Sequence, residues 1–279
     1  MLTCILTHAQ ITVPSPSPAG SVYSKVGLTD VTIDYHRPKV RDRIIFGAGE
    51  EALLPYGNLW RTGAGNGTIL TLSTDAKIAG KEVKAGKHLI LTIPEEEDWT
   101  FILYSDLDID GANLSGNFTE DNVELKTTVT ATTPAEEVQS LTFQISDISD
   151  DNTTANIVFS WSDVRFEVPI EVSFDDIVLQ DIANKTVVEP INYIRAASYY
   201  YTYDKDLDQA LTWVNTYLDM EGHDTHFWYM YLKAQILAKL GKKKEAIKTA
   251  TRSIELAEKS PRGDLGYTKK NKALIASLK

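Results

Sequence analysis

The chain has 279 residues, 43% hydrophobic and 24% charged, with a formal net charge of -11. That balance fits a globular protein and excludes a disordered chain. No apolar run nears the ~18 residues of a spanning helix, so no transmembrane span is expected, and the absence of a polybasic tail argues against nucleic acid as a partner.

The opening MLTCILTHAQ reads as the last part of a secretory signal, ending in Thr7-His8-Ala9 before Gln10, although the basic n-region is missing. A plain N-terminal strand is the alternative. A cleaved signal places the protein in the periplasm or outside the cell. The only cysteine, Cys4, falls in this stretch, which leaves no internal disulfide and no Cys-based metal site. Residues 1–19 therefore form a signal-like segment and a Pro/Ser-rich lead-in, TVPSPSPAG, expected to be extended.

Period-two alternation follows. Val31, Ile33 and Tyr35 alternate with Thr32, Asp34 and His36, and Leu89, Leu91 and Ile93 alternate with His88, Ile90 and Thr92. LILTIPEEEDWTFILYS is the most legible hairpin. In VRFEVPIEV, Val164, Phe166, Val168, Ile170 and Val172 share one face, and Pro169 predicts an edge strand because it cannot donate to a ladder. Short one-faced strands joined by polar turns predict an antiparallel all-β sandwich or barrel over residues 20–178.

From Pro190 the period becomes helical, with breaks near Asp204 and Gly241. Ala210 and Ala246 lie 36 residues apart, close to the tetratricopeptide period of 34. Ala234, Leu237, Gly241, Ala246 and Ala250 resemble the tetratricopeptide pattern of small residues at helix contacts, and Ser198, Tyr201 and Ala210 match it less well. Residues 186–279 are expected to hold two such repeats and a capping helix, KKNKALIASLK, making the chain α+β as a whole. Two roles stay open for the repeats: docking a peptide, or packing on the β-module. Charge changes at the same place, with a net of +5 over residues 190–279 and -16 over residues 1–189.

Candidate chemistry centres on HRPKVRDR, which puts Arg37, Lys39, Arg41 and Arg43 within seven residues. Four cations cannot continue a core face without partners, so the chain is expected to leave the sheet at Pro38 and carry them to a sandwich rim. Arg61 arrives in WRTGAGNG, where glycines open the backbone and Trp60 offers a stacking face. Guanidinium forks suit carboxylates, phosphates and sulfates. Two readings compete: internal pairing with acids such as Asp42, Glu50 and Glu51, or an open ligand site. His36, beside Arg37, is the candidate base if the rim is catalytic.

DLDIDG supplies Asp106, Asp108 and Asp110 in the spacing of half a calcium loop, but position twelve is Asn117, so this is not an EF-hand. Calcium at an irregular site is the one cofactor candidate; a solvated acidic loop is the alternative. HDTH (His223, His226) has no nearby third ligand, and Asp224 or Thr225 is expected to cap a helix starting at Phe227. No nucleophile elbow, phosphate loop or dinucleotide fingerprint occurs.

The run SKVGLTDVTIDYHRPKVRDRIIFG through WTFILYS resembles a bacterial family, domain of unknown function 2911. The resemblance is carried by Gly27-Leu28-Thr29, Tyr35, Arg37-Pro38, Arg43, Phe46-Gly47, Pro55-Tyr56-Gly57, Trp60-Arg61-Thr62-Gly63-Ala64, Gly86, Ile93-Pro94 and Trp99. It implies a β-domain, common in Bacteroidetes and usually exported, sometimes with tetratricopeptide-like repeats, and no established activity. The family pattern has Asn-Glu after RTGA, where this chain has Gly65-Asn66; Asn66 therefore joins Arg37, Arg41, Arg43, Trp60 and Arg61 as a candidate ligand contact. The expected function is a non-enzymatic binding or interaction protein for an anionic small molecule, glycan or protein. The alternative is an envelope hydrolase of an anionic substrate at His36, Arg37 and Arg61.

Overall fold

The structure, a computed structural model, describes residues 13–109, 111 and 113–279. The signal-like stretch and Cys4 lie outside these residues. The chain divides into two units, one ending at Phe174 and one spanning Asp175–Lys279.

The first unit contains, in chain order, β1 (Ala19–Val26), β2 (Thr29–His36), β3 (Phe46–Gly47), β4 (Leu54–Pro55), β5 (Thr68–Leu72), β6 (Ala76–Ile78), β7 (Lys81–Val83), β8 (Gly86–Ile93), β9 (Asp98–Tyr104), the short helix α1 (Leu114–Asn117), β10 (Val123–Thr130), β11 (Val138–Ser146), β12 (Thr154–Ser162) and β13 (Val164–Val172). One antiparallel sheet has the order β1-β2-β5-β8-β9-β10, and a second has the order β11-β12-β13-β6-β7. A short parallel pair, β3-β4, stands apart from both.

The period-two pattern explains the main core. Val31, Ile33 and Tyr35 are buried in one cluster with Phe143, Phe159, Phe166 and Trp161 from the second sheet, Tyr35 standing edge-on to Phe143. Each fully buried large side chain contributes roughly 1.5–3 kcal/mol. β8 departs from one-faced alternation, because His88 through Thr92 are all buried. Ile90 belongs to the main core, whereas Leu89 and Leu91 face a second cluster with Ile102, Tyr104 and Leu114, packed against by Leu107, Ile109 and Phe118. The excursion between β9 and β10 thus covers the outer face of the first sheet.

β13 is not an edge strand, contrary to the expectation drawn from Pro169. It pairs with β12 on one side and β6 on the other. Pairing with β6 covers only Ile170–Val172, and Pro169 contributes its carbonyl to Ala79 N at 2.8 Å. The missing donor falls where β6 has already turned away, so no ladder bond is lost.

The second unit is helical: α2 (Asp175–Lys185), α3 (Pro190–Thr202), α4 (Leu207–Leu218), α5 (Phe227–Lys239), α6 (Lys243–Glu258) and α7 (Tyr267–Ser277). Pro190 opens α3, where its missing N–H costs nothing, and Asp206 caps α4 by accepting from Gln209 N at 2.9 Å. The helices break at Asp204 and Gly241, both with positive φ. Ala210, Ala234, Ala246 and Ala250 are fully buried, an arrangement compatible with the expected repeat pairs. Residue 226, not 224 or 225, occupies the N-cap of α5, and no side chain caps it. His226 instead stacks on Trp228, and its Nδ1 lies 3.1 Å from the Tyr217 hydroxyl. Among the described residues no helix is long and apolar enough to cross a membrane.

Candidate functional site

β2 stops pairing with β1 at His36, and the next residues cross to the second sheet. Val40 N donates to Gln139 O at 2.9 Å, Leu141 N donates to Pro38 O at 3.0 Å, and Lys39 bridges to Ser140. Arg37 fastens this crossing, donating from Nε to Leu141 O at 3.2 Å and from Nη2 to Thr142 Oγ1 at 3.1 Å. The chain then turns through Arg41 and Asp42, both left-handed at φ 52° and 57°. Such backbone costs of order 1 kcal/mol or more per residue, and here it turns the chain between Arg41 and Arg43. Arg43 donates from Nε to Val40 O at 2.9 Å and from Nη2 to Lys39 O at 2.5 Å, closing the turn on itself.

The second contributing segment, residues 60–67, is pinned to β8. Trp60 and Thr92 exchange backbone hydrogen bonds of 2.8 and 2.9 Å. Thr62, fully buried at φ 52°, is a β-branched residue in a region it rarely enters. Its hydroxyl lies 3.0 Å from that of Thr92, and its carbonyl accepts from the Thr68 hydroxyl. Two glycines are required by space as well as by φ. A Cβ on Gly65 would lie 2.9 Å from the His36 ring, and one on Gly67 would lie 2.7 Å from Leu89 Cδ1. These contacts fix the loop in a conformation that few sequences permit.

Three open clefts lie along this loop. The first, about 370 Å³, is lined by Lys39, Arg41, Arg43 and Arg61 together with Pro16, Pro38, Leu53, Leu54, Ala64, Trp60 and Trp161. The second, about 540 Å³, is lined by Arg61, Gly65, Asn66, Leu107, Asp108, Ile109 and Gly111. The third, about 570 Å³, lies over the outer face of β1, β2, β5 and β8, where Ser21, Asp34, His36, Asn66, Ile69 and Lys87 meet.

The acids expected as internal partners do not pair with the rim. Among the described residues, no carboxylate lies within 4.0 Å of Arg37, Lys39, Arg41, Arg43 or Arg61; ion pairs form elsewhere, as between Arg165 and Glu167 or Arg252 and Glu255. Backbone carbonyls orient the guanidiniums instead. Arg41 Nη2 donates to Pro16 O at 3.2 Å, and Arg61 Nη1 donates to Gly111 O at 2.9 Å. Carbonyl dipoles satisfy several of the N–H groups without cancelling charge, and Arg61 Nε is buried with no partner among the described residues, so no carboxylate neutralises the cations of the first cleft there.

The sequence-derived candidates separate. Arg41, Arg43 and Arg61 come together with Lys39, whereas Arg37 is the fastener of the crossing. The face of Trp60 expected to stack on a ligand is stacked on Trp161, and only 7% of the residue is exposed. Asn66 is exposed and shared by the second and third clefts. His36 lines the third cleft, which none of the four arginines lines, and its Nδ1 is buried with no partner among the described residues. Asp106 and Asp108 lie in the excursion after β9, with Asp108 N donating to Asp106 Oδ1 at 3.1 Å; Asp110 lies outside the described residues. Asp34, Lys87 and Leu107 were not singled out in the sequence. Asp34 and Lys87 are ordinary outward strand positions, and nothing local marks which loop will cover them.

The sequence matches the family described as protein of unknown function (DUF2911) over residues 17–170. The chain belongs to the DUF2911 family. The matched span takes in β1 through most of β13, and thus both arginine-bearing segments and every residue lining the three clefts except Pro16. No curated protein and no solved structure matches the chain. The DUF2911 match ends before α2, so the helical unit stands outside it.

Proposed function

We propose that this protein is a non-enzymatic binding protein whose β-unit takes an anionic group in the cleft lined by Lys39, Arg41, Arg43 and Arg61. One observation carries the reading: four cations ring one cleft of an acidic protein with no carboxylate in ion-pair reach among the described residues. Like charges held together repel, and the left-handed turn at Arg41 and Asp42 adds backbone strain. An incoming carboxylate, phosphate or sulfate relieves the repulsion and accepts from several guanidinium forks at once. The family resemblance adds an exported location, periplasmic or secreted, to this reading. The hydrolytic alternative requires His36 and the guanidiniums around one reacting centre, whereas His36 lines the third cleft and the four cations gather at the first.

Thermal-shift measurements with sulfate, phosphate, glucuronate and neutral glucose test the reading. The three anions are expected to raise the midpoint of the β-unit in a saturable way, with glucose inert and the shift lost in the Arg43→Ala/Arg61→Ala double variant. No anion-specific shift, or one retained in the double variant, contradicts it.

A further inference from the structure

We infer that the three clefts form one extended site for an acidic oligosaccharide, with a single anionic group in the cation cleft and neutral sugar rings in the other two. The inference rests on the anion-binding reading of the first cleft and names the ligand class.

Continuity comes from one loop. Trp60, Arg61, Gly63 and Ala64 contribute to the first cleft, Arg61 belongs to the first and second, and Asn66 and Leu107 belong to the second and third. The chemistry changes along that path. The first cleft carries only positive charge, whereas the second opposes Arg61 with Asp108 and the third opposes Lys87 with Asp34. A ligand charged along its whole length, such as a polyphosphate or nucleic acid, meets Asp108 and Asp34 and is repelled. An apolar ligand desolvates those groups without pairing them.

Hydroxyl groups resolve both difficulties, because each donates and accepts. They donate hydrogen bonds to Asp34, Asp108 and the Asn66 carbonyl, and they accept them from Lys87, Arg61 and the Asn66 amide. Leu107, Ile109 and Ile69 are half-buried at the walls and offer apolar contact for the C–H faces of sugar rings. Cleft volumes of about 540 and 570 Å³ are in the range of small-ligand sites. The rigid loop adds preorganisation, which lowers the ordering cost of binding.

Isothermal titration of the full chain tests this with free glucuronate, a tetrasaccharide bearing one uronate, the same tetrasaccharide bearing one sulfate ester instead, its neutral counterpart, and an N-acetylated tetrapeptide of neutral side chains whose one charge is its C-terminal carboxylate. The acidic tetrasaccharides are expected to bind at least about tenfold tighter than glucuronate, and the neutral one to bind weakly or not at all. The uronate and sulfate arms tell which anion the cleft prefers. Asn66→Ala and Asp34→Ala, both at exposed positions, should return the tetrasaccharide affinity to that of glucuronate while leaving glucuronate itself unchanged. Arg43→Ala should weaken both. A tetrasaccharide no tighter than glucuronate, insensitivity to Asn66→Ala and Asp34→Ala, or a peptide that binds tighter than the sugar overturns the inference and leaves the anion site standing. Failure of every acid to bind overturns the anion reading itself.

Discussion

Arg43 directs Nε and Nη2 at carbonyls of its own turn, which orients the guanidinium and leaves Nη1 without a partner among the described residues. Arg37 has a different task, reaching Leu141 O and Thr142 Oγ1 on β11 and joining the two sheets. The two residues should therefore separate under substitution. Arg37→Ala is expected to cost about 1–2 kcal/mol of stability in denaturant titration and to leave anion affinity intact. Arg43→Ala should change stability by less than about 0.5 kcal/mol and lower anion affinity. The sequence could not make this distinction, since alternation alone puts Arg37, Lys39, Arg41 and Arg43 on one side. The left-handed turn at Arg41 and Asp42 breaks that alternation, and no glycine announces it. Gly67 permits a similar contrast. Gly67→Ala places a Cβ 2.7 Å from Leu89 Cδ1 at φ 95° and should cost roughly 1–3 kcal/mol, whereas Gly80→Ala, at φ 74° with no atom within 4 Å of its Cβ, should cost only about 1. Equal losses at the two positions contradict the tight packing of the loop.

The strands were legible because burial on one face writes a period of two into β2 and β13. Legibility failed where an element is covered on both sides. β8 is buried from His88 through Thr92 because the excursion after β9 packs over its outer face, and that covering segment carries no periodic signal. Pro169 misled for a related reason: a proline excludes one donor, not a neighbour, and β6 is short enough to avoid it. Among the helices, α5 begins where the sequence indicated, but its N-terminal turn is built on stacked rings and not on a capping oxygen. Burial lowers the pKa of His226 from its ordinary 6.5, with His223 adding to the effect. The unfolded chain then binds the proton more readily than the folded one. This contribution to stability is complete above the ordinary value and is lost as pH falls through about 6.5 toward the depressed folded value. Between pH 7.5 and 5, the midpoint of the helical unit should fall more steeply in the native chain than in His226→Gln, each compared with its own value at pH 7.5. Parallel curves contradict a half-buried His226 with a lowered pKa.

At the scale of the molecule, residues 1–189 carry a net charge of -16 and yet hold Lys39, Arg41, Arg43 and Arg61 around one cleft. The charge grouping was visible in the sequence; its openness was not, because Asp42, Glu50 and Glu51 are neighbours along the chain and equally plausible partners on paper. The clefts beside it were invisible for another reason. Asp34, Asn66, Lys87 and Leu107 are drawn from four separate stretches and meet only when β2, β5 and β8 align under the loop and the excursion. Anion binding at exposed cations should weaken with ionic strength, since the screening length falls to about 8 Å at 0.15 M salt. The central claim is that this cleft holds its positive charge open for a ligand. Titration with sulfate, followed through the Nε–H resonances of individually assigned arginines, tests it most directly. The expected result is a saturable shift of Arg41, Arg43 and Arg61 with a common dissociation constant, while Arg165 and Arg252, already paired with Glu167 and Glu255, stay in place. Shifts that are absent, or that grow without saturation and equally at all five arginines, contradict it.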